Sequence, residues 1–111
     1  MKIELKPGEQ EVKSSAANLQ RGRETVGGKL YLTNQRLAFA SHKFNVQAGP
    51  TDIALDAIAE TQLAWTKFLN AIPLAPNSLA VFTADGTEYR FVLNGRKKWQ
   101  EAIESARPKA R

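Results

Sequence analysis

The side chains in this sequence that are able to do chemistry are few and scattered. His42 is the only histidine and cysteine is absent. Neither a histidine-based dyad nor a thiolate or multi-histidine metal centre can be assembled from that inventory. Asp52 and Asp56 stand four apart in a strand-like stretch, which separates the two carboxylates; they read as solvated or turn-capping residues. Gly27-Gly28 would let a phosphate approach the backbone, but no helix N-terminus follows, so the pair reads as a kink where a strand begins. The phosphate-binding loop, the nucleophile elbow and the His-Glu-x-x-His metal motif are all missing. What remains is non-covalent chemistry: the sequence predicts no enzyme, no cofactor and no metal.

Cations are the next candidates. Trp99, Ala102, Ile103 and Ala106 recur at i, i+3, i+4 and i+7, one stripe of an amphipathic helix. Asn94 stands where its N-cap belongs, and Pro108 limits its end. Arg96, Lys97 and Lys98 crowd the start of that helix, at the positive end of its dipole, while Glu101 and Glu104 lie further along. Each misplaced cation costs roughly 0.3–1 kcal/mol at low salt. The arrangement predicts an anionic partner near that end: a strand carboxylate, another chain or a phosphate. Residues 95–111 hold six cations (Arg96, Lys97, Lys98, Arg107, Lys109, Arg111) against two anions, which leaves the rest of the chain nearly neutral. A nucleic-acid interface spreads its charge over a face, so this local excess argues against nucleic acid.

A third feature is apolar. Phe68, Leu69, Ile72 and Leu74 lie in a Pro-containing connector from Lys67 to Asn77. Such a segment folds over an open end of the core, inserts into a membrane, or pairs with a second subunit.

Several elements must position these residues. The chain has 111 residues, 42% hydrophobic and 24% charged, enough for one globular domain with its own core. We expect a single domain over 1–111, with its core at about 8–106 and a tail at 107–111. Leu30 and Leu32 alternate, then Leu37 and Phe39, around a turn at 33–36: an antiparallel hairpin. Residues 11–18 form a weaker first strand, followed by a polar loop at 20–24. Ile53 and Leu55 alternate in a short strand, and 59–66 form another. Residues 79–83 and 88–93 flank Asp85-Gly86, a strong hairpin turn. About seven strands and one terminal helix predict a mainly β barrel or sandwich plugged by that helix. No run approaches the roughly 18 apolar residues of a membrane span, and the charged N-terminus has no signal-peptide core. We expect a cytoplasmic protein, at most peripheral to a membrane.

At this level of detail the sequence resembles the GRAM domain family. Leu5-Lys6-Pro7-Gly8-Glu9 is similar to the opening motif of those domains. Gly28-Lys29-Leu30-Tyr31-Leu32-Thr33-Asn34-Gln35-Arg36-Leu37-Ala38-Phe39 is similar to their central signature. Pro76-Asn77-Ser78-Leu79 and Asp85-Gly86-Thr87-Glu88-Tyr89-Arg90-Phe91 resemble their closing hairpin, and Arg96-Lys97-Lys98-Trp99 the start of their capping helix. The resemblance is to a small stand-alone member of bacterial type. It implies a pleckstrin-homology-like (PH-like) fold: two orthogonal sheets of about seven antiparallel strands, closed at one corner by a C-terminal helix. Members bind phosphoinositides, other lipids, peptides or proteins.

The resemblance also marks a second basic set. Phosphoinositide-binding members of the wider fold class place a basic residue on the first strand and a basic-x-basic pair at the start of the second. Lys13 with Arg21-Gly22-Arg23 looks similar, although the interval is short and Glu24 follows. The leading expectation is therefore a non-catalytic module for protein or peptide recognition, or self-association. Its rival is a peripheral membrane adaptor that binds anionic lipid headgroups.

Overall fold

The computed structural model describes residues 3–21, 24–41, 51–68 and 72–108. Seven strands run in chain order: β1 (Glu11–Arg21), β2 (Glu24–Thr33), β3 (Arg36–Ser41), β4 (Thr51–Ala54), β5 (Ile58–Phe68), β6 (Ile72–Thr83) and β7 (Glu88–Val92). A single 3₁₀ turn at Leu55–Ala57 joins β4 to β5, and helix α1 (Arg96–Ala106) follows β7. Every pairing is antiparallel, in the order β4-β3-β2-β1-β7-β6-β5.

The mainly β architecture with one closing helix is the one expected, but its hydrogen bonding differs from two separate sheets. The ladder is continuous, and its halves meet where Asn18, Leu19 and Gln20 of β1 pair with Val92, Phe91 and Arg90 of β7. Among the described residues it does not close, because β4 and β5 pair with no strand on their outer sides.

Alternation decides what each strand buries. Leu30, Leu32, Leu37 and Phe39 point into the main core with Leu19, Leu79, Val81 and Phe91. Tyr31, Ala38 and Ala40 point the other way and are still buried, because Ile3 of the N-terminal segment packs over them. Gly28 makes the β2–β3 approach feasible, since a Cβ there would stand 2.2 Å from the carbonyl oxygen of Ala40. Gly27-Gly28, read from the sequence as a kink where a strand begins, instead lies inside β2, paired with Asn18 and Ala17 of β1.

Helix α1 plugs the core with Trp99 and Ile103, while Ala102 and Ala106 pack at its margin. The stripe read from the sequence is the buried one. The cap is not: Gly95 rather than Asn94 is the N-cap, with φ 71° and ψ 44°, and no side chain caps the helix. A left-handed residue turns the chain from β7 into the helix across the three residues 93–95, a conformation that glycine adopts freely and asparagine less so.

Three boundaries differ from the sequence reading. The polar 20–24 loop is mostly strand, because β1 and β2 pair out to Arg21 opposite Glu24. Leu55 does not continue a strand; its N–H donates to the carbonyl of Gln35 at 3.2 Å, which bends the chain into the 3₁₀ turn. The connector read as loop from Lys67 to Asn77 is largely β5 and β6, with Thr66 opposite Ala75 and Phe68 opposite Ile72. Pro73 and Pro76 disguised it. They are tolerated because β7 pairs with β6 only from Ser78 onward, so on that side of β6 no strand needs their missing N–H groups.

Candidate functional site

The family-like motifs at 5–9 and 28–39 converge on one buried polar cluster that the sequence reading did not foresee. The Glu9 carboxylate accepts from Thr33 Oγ1 at 2.6 Å, from Arg36 Nε at 2.7 Å and Nη2 at 3.1 Å, and from the Lys6 N–H at 2.8 Å. Arg36 also donates to Asp52 Oδ1 at 2.9 Å and to the carbonyl of Glu4 at 2.7 Å. Asn34 and Gln10 are bonded reciprocally, and Asn34 and Gln35 donate to the carbonyls of Gly8 and Pro7. The Arg36 guanidinium, above all, holds Glu9 down at about 2 against an ordinary 4.5, with Thr33 and the Lys6 N–H contributing. The same contact raises Arg36. This cluster ties residues 4–10 to the β2–β3 turn and fills its own hydrogen-bonding capacity, so it is a staple rather than a ligand site. Asp52, read from the sequence as solvated or turn-capping, is one of its ion-pair members; the spacing Glu9…Thr33-x-x-Arg36 was the available signal.

The cationic candidates fall into two places. Lys13 and Arg21 are eight positions apart on one strand, about 26 Å along β1. The structure does not bring them together. Arg21 ends β1 opposite Glu24, where only its backbone is described, and Arg23 lies outside the described residues. Lys13 belongs instead to the helix: its Nζ sits 5.4 Å above the Trp99 ring, a cation–π distance. Trp99 Nε1 donates to Ser15 Oγ at 3.2 Å, two positions along the same face of β1.

Around that corner the first turn of α1 divides its charges. Arg96 turns toward the sheet and donates through Nη1 to the carbonyl of Ala64 on β5 at 2.8 Å. Lys97 and Lys98 are exposed, and they take part in none of the ion pairs among the described residues. Those pairs engage Arg36, Arg90 and Arg107. Arg107, the first residue of the segment read as tail, is anchored to Glu104 and to the carbonyls of Ile58 and Ala59. Helix side chains Arg96, Gln100 and Arg107 thus cover free carbonyls along the open β5 edge, at Ala64, Thr61, Ala59 and Ile58.

Of the apolar candidates, Leu69 lies outside the described residues, and for Phe68, Ile72 and Leu74 the strand backbone is described. His42 also lies outside. Among the described residues there is no group of three or more metal-ligating side chains and no helix long and apolar enough to cross a membrane.

The resulting site is a corner made by Lys13 on β1 and by Lys97 and Lys98 at the uncapped start of α1. With free N–H groups in the first helical turn and positive charge beside them, it can hold an anion. Nothing in it supplies a nucleophile and a base together.

Comparison with known proteins agrees with the architecture. No curated protein is detectably similar in sequence. A C-terminal domain of an unknown protein from Leishmania infantum superposes with a TM-score of 0.72 at 20% identity, covering 90% of this chain and 85% of that one. The Vps36 N-terminal PH domain gives 0.64 at 19% identity, covering 91% and 83%. The Slm1-PH domain in complex with inositol-4-phosphate gives 0.63 at 13% identity, covering 88% and 97%. These neighbours share the PH-like fold. GRAM and PH-like domains are binding modules, not enzymes. The GRAM domain family matches residues 1–104, and the chain therefore belongs to it.

Proposed function

We propose that this GRAM domain recognises a phosphate-bearing anionic headgroup at the β1–α1 corner and so docks peripherally on membranes. The carrying observation is the contrast between cations. Arg36, Arg90, Arg96 and Arg107 are occupied by carboxylates or carbonyls, whereas Lys97 and Lys98 stand exposed beside an N-terminus without a side-chain cap. Lys13, held over Trp99, adds a third positive charge at the same corner. Phosphate satisfies free helical N–H groups and ammonium groups together. Structures of the Slm1-PH domain, which shares the fold, are of complexes with inositol-4-phosphate and phosphoserine, so this architecture accommodates such groups.

Recognition of a protein or peptide, or self-association, is the second reading. Its specific support is the apolar sequence at 68–74, within which Phe68 and Ile72 stand opposite each other on paired strands. Salt separates the two readings. Binding to anionic vesicles through the corner weakens steeply as ionic strength screens the lysines, and Lys97→Gln with Lys98→Gln removes most of it. Vesicle binding that ignores both salt and the double substitution would sink the headgroup reading. Concentration-dependent association without vesicles would favour the second.

A further inference from the structure

We infer that the Asn94-Gly95 peptide deamidates spontaneously and that the carboxylate it forms neutralises the lysine corner, so that the domain loses its hold on anions as it ages. The effect on binding rests on the headgroup reading above. The chemistry rests on the geometry of residues 93–99.

The sequence carries one Asn-Gly step, and it lies between β7 and α1. Glycine has no Cβ to hinder the approach of its nitrogen to the preceding side chain. The Gly95 nitrogen gives its proton to solvent base and attacks Cγ of Asn94. A C–N bond forms, the bond from Cγ to Nδ2 breaks, and Nδ2 leaves as ammonia with a proton from solvent. Water then opens the cyclic imide at either of its carbonyls, which leaves aspartate or isoaspartate at 94. Water is consumed and ammonia released; the step needs no oxidant and no second protein.

The structure leaves this step unhindered. Asn94 is not the N-cap, so its amide is not held against the first helical turn as a capping side chain would be. Neither that amide nor the Gly95 N–H is hydrogen-bonded among the described residues, and both residues are exposed. The space beside Gly95 is open, since a Cβ there would meet nothing within 4 Å. Its nitrogen stands at the positive end of α1, ahead of Arg96, Lys97 and Lys98, a field that favours the anionic nitrogen that attacks.

Comparable peptides are restrained. At Asp85-Gly86 the carboxylate is held by Thr83 and by the Thr87 N–H, and the Gly86 N–H donates to the Thr83 carbonyl. Asn34 is bonded through both side-chain atoms, to Gln10 and Gly8, and the Gln35 N–H donates to Thr33. Asn77 is followed by Ser78, which is wholly buried and paired with Val92. A carboxylate formed at 94 stands just before the N-cap, where the helix dipole and the two lysines attract it. It competes there with a phosphate for the same charges.

The test compares fresh protein with protein stored in mildly alkaline buffer, which speeds loss of the amide proton. Trypsin cuts after Arg90 and Arg96, so peptide 91–96 reports the site by a mass gain of about one unit and by labelling with an isoaspartyl methyltransferase. We expect that peptide to convert ahead of the one holding Asn77. Affinity for an inositol phosphate should fall about three- to tenfold in the converted protein and in Asn94→Asp. Asn94→Gln, whose longer side chain closes its ring far more slowly, should keep its affinity on storage. Slower conversion at 94 than at 77 overturns the site. Conversion with unchanged affinity overturns the effect on binding, as does equal weakening of stored Asn94→Gln. Fresh protein that binds no inositol phosphate removes the headgroup reading, while the mass of peptide 91–96 still decides the deamidation.

Discussion

Arg96, at the positive end of helix α1, donates to the carbonyl of Ala64 on the open edge of β5 at 2.8 Å. That contact accounts for one of three cations that the helix dipole disfavours and leaves two unexplained by internal structure. The three should therefore behave differently. Arg96→Met removes a charged hydrogen bond and uncovers a strand carbonyl, and should cost about 1–2 kcal/mol. Lys97→Gln and Lys98→Gln should each leave stability unchanged or raise it by a few tenths of a kcal/mol. Urea unfolding of the three variants checks this; equal costs at all three positions would place the lysines in internal pairs.

Trp99 closes the core and is the residue whose loss the fold should feel most. Trp99→Ala should cost about 3–5 kcal/mol, a large share of the 5–15 kcal/mol typical of a whole domain. Trp99→Phe keeps part of the ring and loses the bond to Ser15, so its cost should be smaller. A denaturant midpoint unmoved by Trp99→Ala would contradict the burial of this side chain.

Glu9 links stability to acid. Its pKa is about 2 when folded and 4.5 when free, so the unfolded state takes up protons first as the pH drops. The stabilisation is complete above pH 4.5 and is lost as the pH falls from there toward 2, amounting to roughly 3 kcal/mol in all. Glu9→Gln should flatten that part of the pH profile and destabilise the protein at neutral pH, because Arg36 stays buried with half its partners gone. Unfolding free energies measured at pH 7, 4.5 and 3 test the slope; parallel profiles for the two proteins would rule out Glu9 as its source.

Much of the fold could be read from spacing. Leu30, Leu32, Leu37 and Phe39 declare their hairpin by period two, and Trp99 and Ile103 declare the buried helix face by period 3.6, because in both cases one face is dry and the other is not. The missed features are those in which partners are distant in sequence or a local rule points elsewhere. Glu9 and Arg36 are 27 residues apart and both charged, so neither reads as buried until the N-terminal segment folds across β2 and β3. Pro73 and Pro76 argue locally for a loop, and only the end of β7 pairing at Ser78 shows why a strand tolerates them. At the site, the first helical turn stood out by its charge, yet the sequence paired Lys13 with Arg21 and Arg23 where the fold hands it to Trp99.

The β1–α1 corner is proposed to hold an anionic phosphate group. Titrating the ¹⁵N-labelled protein with an inositol phosphate and following the backbone amides probes that binding residue by residue. Headgroup binding there should give saturable shifts concentrated at Lys13 and at Gly95 through Trp99, lost on Lys97→Gln with Lys98→Gln and weakened by salt. Shifts confined to the neighbourhood of Arg21 and Thr25, or no saturable shifts at all, would contradict it.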